Sequence, residues 1–204
     1  MKLLKIECAA LAAFIICIFV STYNLDRRCE DIRNNILRLH IIAASDEKED
    51  QKIKLALRDE LLKRGKEIFS DSRTKKEAEE KIRRELSDIE KAACDFLEKE
   101  GCNYTATVKL GKCFFPTRSY EGFTLPAGFY DAVRVVIGEG RGKNWWCVMF
   151  PALCLPAAEG KEASFDGILT EESKRIISEN RYELRLWFVE KWQEIKATVG
   201  SRSD

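Results

Sequence analysis

An α+β fold is predicted for this chain, on three observations. An apolar run near the N-terminus stands apart from everything after it. Two long amphipathic helical patterns follow a single strand-like segment. Beyond them, β-branched and aromatic residues alternate through several short runs before a last helical pattern. The expected architecture is an N-terminal membrane or signal helix followed by one domain. That domain has a small antiparallel sheet packed by two central helices and a C-terminal helix. Residues 1–24 are assigned to the signal peptide or signal anchor and 25–204 to the domain.

Length and charge narrow the partners. The 204 residues leave room for one domain of ordinary size with a real core. Charged residues make up 34% of the chain but cancel to a net +1, so there is no overall basic footprint and nucleic acid is not expected as a partner. A single histidine removes most His-based catalytic and metal schemes.

Lys2 and Lys5 precede an apolar run from Cys8 to Val20. That run is short against the ~20 residues a spanning helix needs. Counted from Leu3 to Tyr23, with Glu7 at the interface, a span becomes possible. A charged start and a short apolar run fit a secretion signal, and the absence of a clean small-x-small cleavage site fits an uncleaved anchor equally well. Arg27, Arg28 and Arg33 rival the two lysines, so the positive-inside rule does not orient the segment.

After a polar stretch, 36–43 reads as a strand with Leu37, Leu39 and Ile41 on one face and Arg38, His40 and Ile42 on the other. Ser45 and Asp46 open a helix, with Asp46 and Glu49 at capping-box spacing. Ile53, Leu57, Leu61 and Ile68 form its apolar stripe. A second helix runs from about Thr74 to Glu100, lined by Ala78, Ile82, Leu86, Ile89, Ala93 and Phe96. Gly101 is placed to end it. Residues 104–110 are a strand candidate that Cys113 to Pro116 closes or follows with a short companion, and a turn falls near Gly122. Thr170 caps a last helix of about 171–196, with a break expected at Ser178 to Asn180.

The stretch from Leu125 to Cys154 reads as two strands, 130–137 and 144–150, joined as a hairpin by the glycine-rich turn 138–142. Adjacent Trp145 and Trp146 must point to opposite faces of the second strand. A tryptophan beside a basic glycine turn can serve as a docking point. Outside the apolar segment lie Cys29, Cys94, Cys102, Cys113, Cys147 and Cys154, an even number that invites disulfides in an exported protein. The best single pair is Cys147 with Cys154, because a proline turn at Pro151 can bring the Cα atoms within the ~4.4–6.8 Å that a disulfide needs.

Searches for chemistry find no catalytic set. The glycine turn resembles a phosphate loop, but Ile137 stands where a glycine is required, Asn144 replaces the Ser or Thr, and a strand follows in place of a helix. The acids Asp46, Glu47, Glu49 and Asp50 sit at a helix N-terminus, where they complement the dipole. His40 has apolar neighbours on its strand. No cysteine pair has zinc spacing, and no metal or cofactor is called for. On residues alone this is an exported, non-enzymatic interaction domain.

Two signatures carry a resemblance that says more. One is 37–46, LRLHIIAASD, followed by Glu49, Asp50, Gln51 and Lys54 and then Leu57, Arg58 and Asp59. The second comprises 115–117, FPT, 125–128, LPAG, and 134–147, RVVIGEGRGKNWWC, ending in 150–154, FPALC. Together they resemble the stage II sporulation protein R family over about 36–155. Relatives commonly have asparagine where Ala44 stands, proline where Ala152 stands and arginine where His40 stands.

The resemblance implies an intercellular signal: a protein made in the forespore, exported toward the mother cell, that activates a membrane-embedded aspartic peptidase, the sigma-E processing peptidase. Arg141, Lys143, Trp145 and Trp146 are the expected contact residues, since Trp and Arg dominate interface hot spots. The partners expected are that peptidase and, through the N-terminal segment, the membrane, with no small-molecule substrate. Two other classes remain open: a secreted cell-envelope enzyme resembling a wall hydrolase, which needs an acid pair in a cleft, and a structural envelope domain.

Overall fold

The computed structural model describes residues 2–69, 71–120, 122–151, 165–178 and 183–200. Among them are five helices and six strands in the order α1 (Lys2–Asn35), β1 (Leu37–Ile42), α2 (Lys48–Phe69), α3 (Lys75–Lys99), β2 (Ala106–Phe115), β3 (Arg118–Tyr120), β4 (Phe123–Leu125), β5 (Gly128–Ile137), β6 (Asn144–Phe150), α4 (Glu171–Ser178) and α5 (Glu183–Gly200). The class is α+β, as the sequence predicts. The described residues form two compact units: residues 33–113 with 129–169, and residues 1–32 with 114–128 and 170–204.

The first unit is a four-stranded sheet in the order β2-β5-β1-β6, covered by α2 and α3. It is a mixed sheet, not the antiparallel one expected: β1 runs parallel to β5 and antiparallel to β6. The expected β5–β6 hairpin is therefore absent, because β1 lies between the two strands. Residues 37–42 have the apolar content for that central place. Leu37, Leu39 and Ile41 are wholly buried and Ile42 nearly so, as a strand covered on both faces requires. A parallel neighbour needs a long crossover, which α2, α3, β2 and the β3–β4 segment supply.

Leu57, Leu61, Ile82, Ile89, Ala93 and Leu97 of the two helices bury against Leu39, Ile41, Val133, Val135 and Met149 of the sheet. Thr74 caps α3, its hydroxyl accepting from the Glu77 amide at 3.3 Å, while Glu77 accepts from the Arg73 amide at 2.8 Å. Gly101 ends the helix at φ +73°, where its amide donates to Glu98 and the Cys102 amide to Leu97.

One ion pair ties α3 to the sheet: the Lys75 ammonium donates to Asp131 at 2.5 Å, with Lys112 at 3.5 Å from the same carboxylate oxygen. Burial pushes the Asp131 carboxyl up, but the hydrogen bonds and charges of Lys75 and Lys112 outweigh it and hold the group below its ordinary value. Its stabilisation is present above the usual aspartate pKa (~3.9) and is lost as pH falls through the depressed folded value. Asp131→Asn is expected to cost about 1 kcal/mol near neutral pH and nothing once the wild-type carboxyl is protonated. Thermal unfolding of the two proteins across the acid range reads this directly.

In the second unit the C-terminal half of α1 meets α4 and α5, and α4 also packs on β4. Leu25, Cys29 and Ile32 are buried. The Asp31 carboxylate accepts from the Ser173 hydroxyl at 2.6 Å and the Thr170 hydroxyl at 3.0 Å. Thr170 also caps α4, accepting from the Ser173 amide at 3.2 Å. The last helical stretch is described over Glu171–Ser178 and Glu183–Gly200; Ser178 is helical, and the rest of the break expected at Ser178 to Asn180 lies outside the described residues.

Candidate functional site

Two distant stretches of sequence meet in the first unit. A loop from Gly138 to Lys143 carries the chain from β5 to β6 across the end of β1. With an intervening strand, that crossing covers two inter-strand spacings, roughly 10 Å. The loop is fastened to the strand it crosses. The Arg141 amide donates to the Ala44 carbonyl at 3.1 Å and the Gly142 amide to the Ala43 carbonyl at 2.9 Å. Next, the Lys143 amide donates to the Asp46 carboxylate at 2.7 Å.

From below, Lys54 of α2 completes the attachment. Its ammonium, almost wholly buried, donates to the Lys143 carbonyl at 3.0 Å and to Gln51 Oε1 at 2.6 Å. Gln51 in turn donates to the Ser45 carbonyl at 2.8 Å. Burial pushes the Lys54 ammonium below its ordinary pKa, while Asp46 opposes that shift. Asp46 thus holds the loop. The capping role expected for it is not the one it performs, since α2 begins at Lys48 and its first turn carries Glu49 and Asp50.

This attachment sets the four expected contact residues. Arg141 and Lys143 are exposed, and Arg141 is ion-paired with Glu139. Trp145 and Trp146 are each half-buried, on opposite faces as predicted. Trp145 packs against the core with the Arg58 guanidinium 5.1 Å from its ring centre. Trp146 stacks on His40, ring centres 5.8 Å apart at 24°. Cys147 is buried and disulfide-bonded, and Cys154 lies outside the described residues. Cys94, Cys102 and Cys113 are thiols.

Sequence reasoning passed over Lys54, Arg58 and Asn144 as members of this cluster. The spacing of Lys54 and Arg58, one helical turn apart on α2, was the available signal. Asn144 accepts from His40 Nε2 at 2.8 Å, a pairing created by the register of β1 on β6 and invisible without it. Among the described residues no group of three or more His, Cys, Asp or Glu could hold a metal ion.

Burial drives the His40 pKa below the ordinary histidine value. The Asn144 bond opposes this, and the charges of Arg134 and Arg38 reinforce it. His40 is therefore neutral in the fold near pH 7. In the unfolded chain it takes up a proton at about 6.5. The unfolded state then binds more protons, so stability falls as pH drops from that value through the depressed folded pKa. The slope of melting temperature against pH in this window is expected to flatten in His40→Gln; an unchanged slope would assign it to other groups.

The comparisons with known proteins cover this region of the chain. The model of the stage II sporulation protein R family matches residues 33–159, which contain every residue of the cluster. A protein of Bacillus subtilis (strain 168), "Stage II sporulation protein R", is 38% identical over 144 residues. The match covers 71% of this chain and 64% of that protein, so the chain spans somewhat less than two thirds of its relative's length. No solved structure matches. With the match running through β1, the start of α2 and the β5–β6 loop, the chain belongs to the stage II sporulation protein R family.

Proposed function

We propose that this chain is a forespore-to-mother-cell signal that is exported across the forespore membrane and activates the membrane-embedded aspartic peptidase that processes pro-sigma-E. It binds the peptidase's membrane domain and favours its active state. A ligand shifts such an equilibrium only by its differential affinity for that state, so the chain itself needs no catalytic group. Family membership supports a role in sporulation. Helix α1, long and apolar enough to cross a membrane, supports export with the segment acting as a signal or an anchor.

The observation that carries the reading is the junction of the two signatures. A network of hydrogen bonds fixes a short loop that offers Arg141 and Lys143 to solvent beside two half-covered tryptophans. Rigidity of this kind lowers the ordering cost of binding.

The test is pro-sigma-E cleavage in a heterologous host that carries the peptidase, with and without this chain exported. Cleavage that requires the exported chain is the expected result. Uncleaved pro-sigma-E, with both proteins folded and correctly placed, would overturn the proposal.

A further inference from the structure

Helix α5 lies wholly outside the matched family region and has no part in the loop cluster. Its described residues run alongside α1 where the apolar run ends. Asp26, buried on α1, accepts from Gln193 at 2.6 Å and from Lys196 at 2.7 Å. Five residues earlier on α5, Phe188 lines a groove of about 220 Å³ with Cys17, Ile18, Ser21, Thr22 and Leu25. The two helices therefore advance together, and Trp187 and Phe188 lie level with the last turns of the apolar run, which ends at Val20.

The free face of α5 is unlike an ordinary solvated helix. Trp187 is 53% exposed and Ile195 58% exposed, with exposed Lys191 between them at helical spacing. On α1, Tyr23 is 49% exposed at the same level, and no residue of the apolar window is buried. Aromatic residues at the end of a span, with a lysine able to extend its ammonium to the surface, are the composition of a membrane–water boundary.

We infer that the N-terminal end of α5 meets the headgroup layer beside the point where α1 leaves the bilayer, with Trp187 inserted among phospholipids. The occupant of this face is the lipid surface itself, because the face continues the exposed apolar surface of α1 without a break in level. The inference needs α1 in the bilayer and does not depend on the activator reading.

The test uses the full chain reconstituted in phosphatidylethanolamine–phosphatidylglycerol vesicles whose acyl chains are brominated close to the headgroup. Bromine quenches tryptophan on contact. The expected result is strong quenching that Trp187→Phe reduces by more than half and Trp145→Phe leaves largely intact. Trp187 is exposed, so its variant should keep the wild-type circular dichroism and melting temperature, and both are checked. Unchanged quenching in Trp187→Phe would overturn the inference. So would a Trp187 contribution that aqueous acrylamide quenches and bromolipid does not, even if adding the peptidase then shields it; that would make the face a protein contact.

Discussion

Gly142→Ala is expected to destabilise the sheet-and-helix unit by about 3 kcal/mol, a cost in the range of strong steric clashes in a core. An added Cβ would overlap the Ser45 carbonyl oxygen, with its carbon 2.5 Å away and the Ala43 Cβ at 2.9 Å. Two of these neighbours are backbone atoms of Ser45, just beyond β1, and cannot rotate aside. The loop must lift, and with it go the amide bonds of Arg141, Gly142 and Lys143 to Ala44, Ala43 and Asp46. The Lys54 ammonium then loses the Lys143 carbonyl while still buried, and an unsatisfied buried polar group costs about 1–3 kcal/mol.

Gly101→Ala is the control. That glycine has φ +73° with nothing within 4 Å of the added atom, so only backbone strain is felt and the expected loss is about 1 kcal/mol. Thermal unfolding of the full chain in detergent ranks the two. Equal losses would show that the close approach of the loop to β1 is not what holds it. Gly142→Ala should also open the loop to trypsin at Arg141 and Lys143.

Reversing both exposed charges, Arg141→Glu with Lys143→Glu, is expected to reduce pro-sigma-E cleavage more than tenfold while leaving the melting temperature within a degree or two. The side-chain interaction at stake is the ion pair of Arg141 with Glu139, and exposed pairs of this kind contribute about 0–1 kcal/mol. The Lys143 backbone, which carries the contacts to Asp46 and Lys54, is untouched.

The tryptophans make a poorer test. Trp145→Ala would strip a ring from the core and from beneath Arg58, and Trp146→Ala would uncover His40, so lost activity would mix with lost stability. Normal cleavage by the double charge reversal would place the contact elsewhere on the protein. A graded loss that deepens with ionic strength in the wild type would show that these charges act in encounter and orientation.

Much of this protein was legible in its sequence. Helical periodicity placed α2 and α3 to within a few residues, and Ala78, Ile82, Ile89 and Ala93 are buried as their spacing demanded. Gly101 ended α3, Thr170 capped α4, and the adjacent tryptophans took opposite faces, because helix caps and the two-residue strand period are local properties of the chain. The short β3–β4 hairpin escaped notice: three-residue strands are too brief for a periodic signal.

The order of strands was decided only by the tertiary structure. A glycine-rich segment between two β-rich runs looks like a hairpin at short range, and nothing local reveals that a strand from some ninety residues earlier fits between them. That insertion makes the sheet mixed, draws the loop across Ala43 and Ala44, and turns Asp46 from an expected helix cap into an acceptor for Lys143. It also places His40 on Trp146. The sequence by itself determined the elements, the apolar N-terminal run and the residues of the two signatures, since composition and short-range spacing encode them. That those signatures form one surface follows from non-local pairing, whose energy comes from burying β1 on both sides.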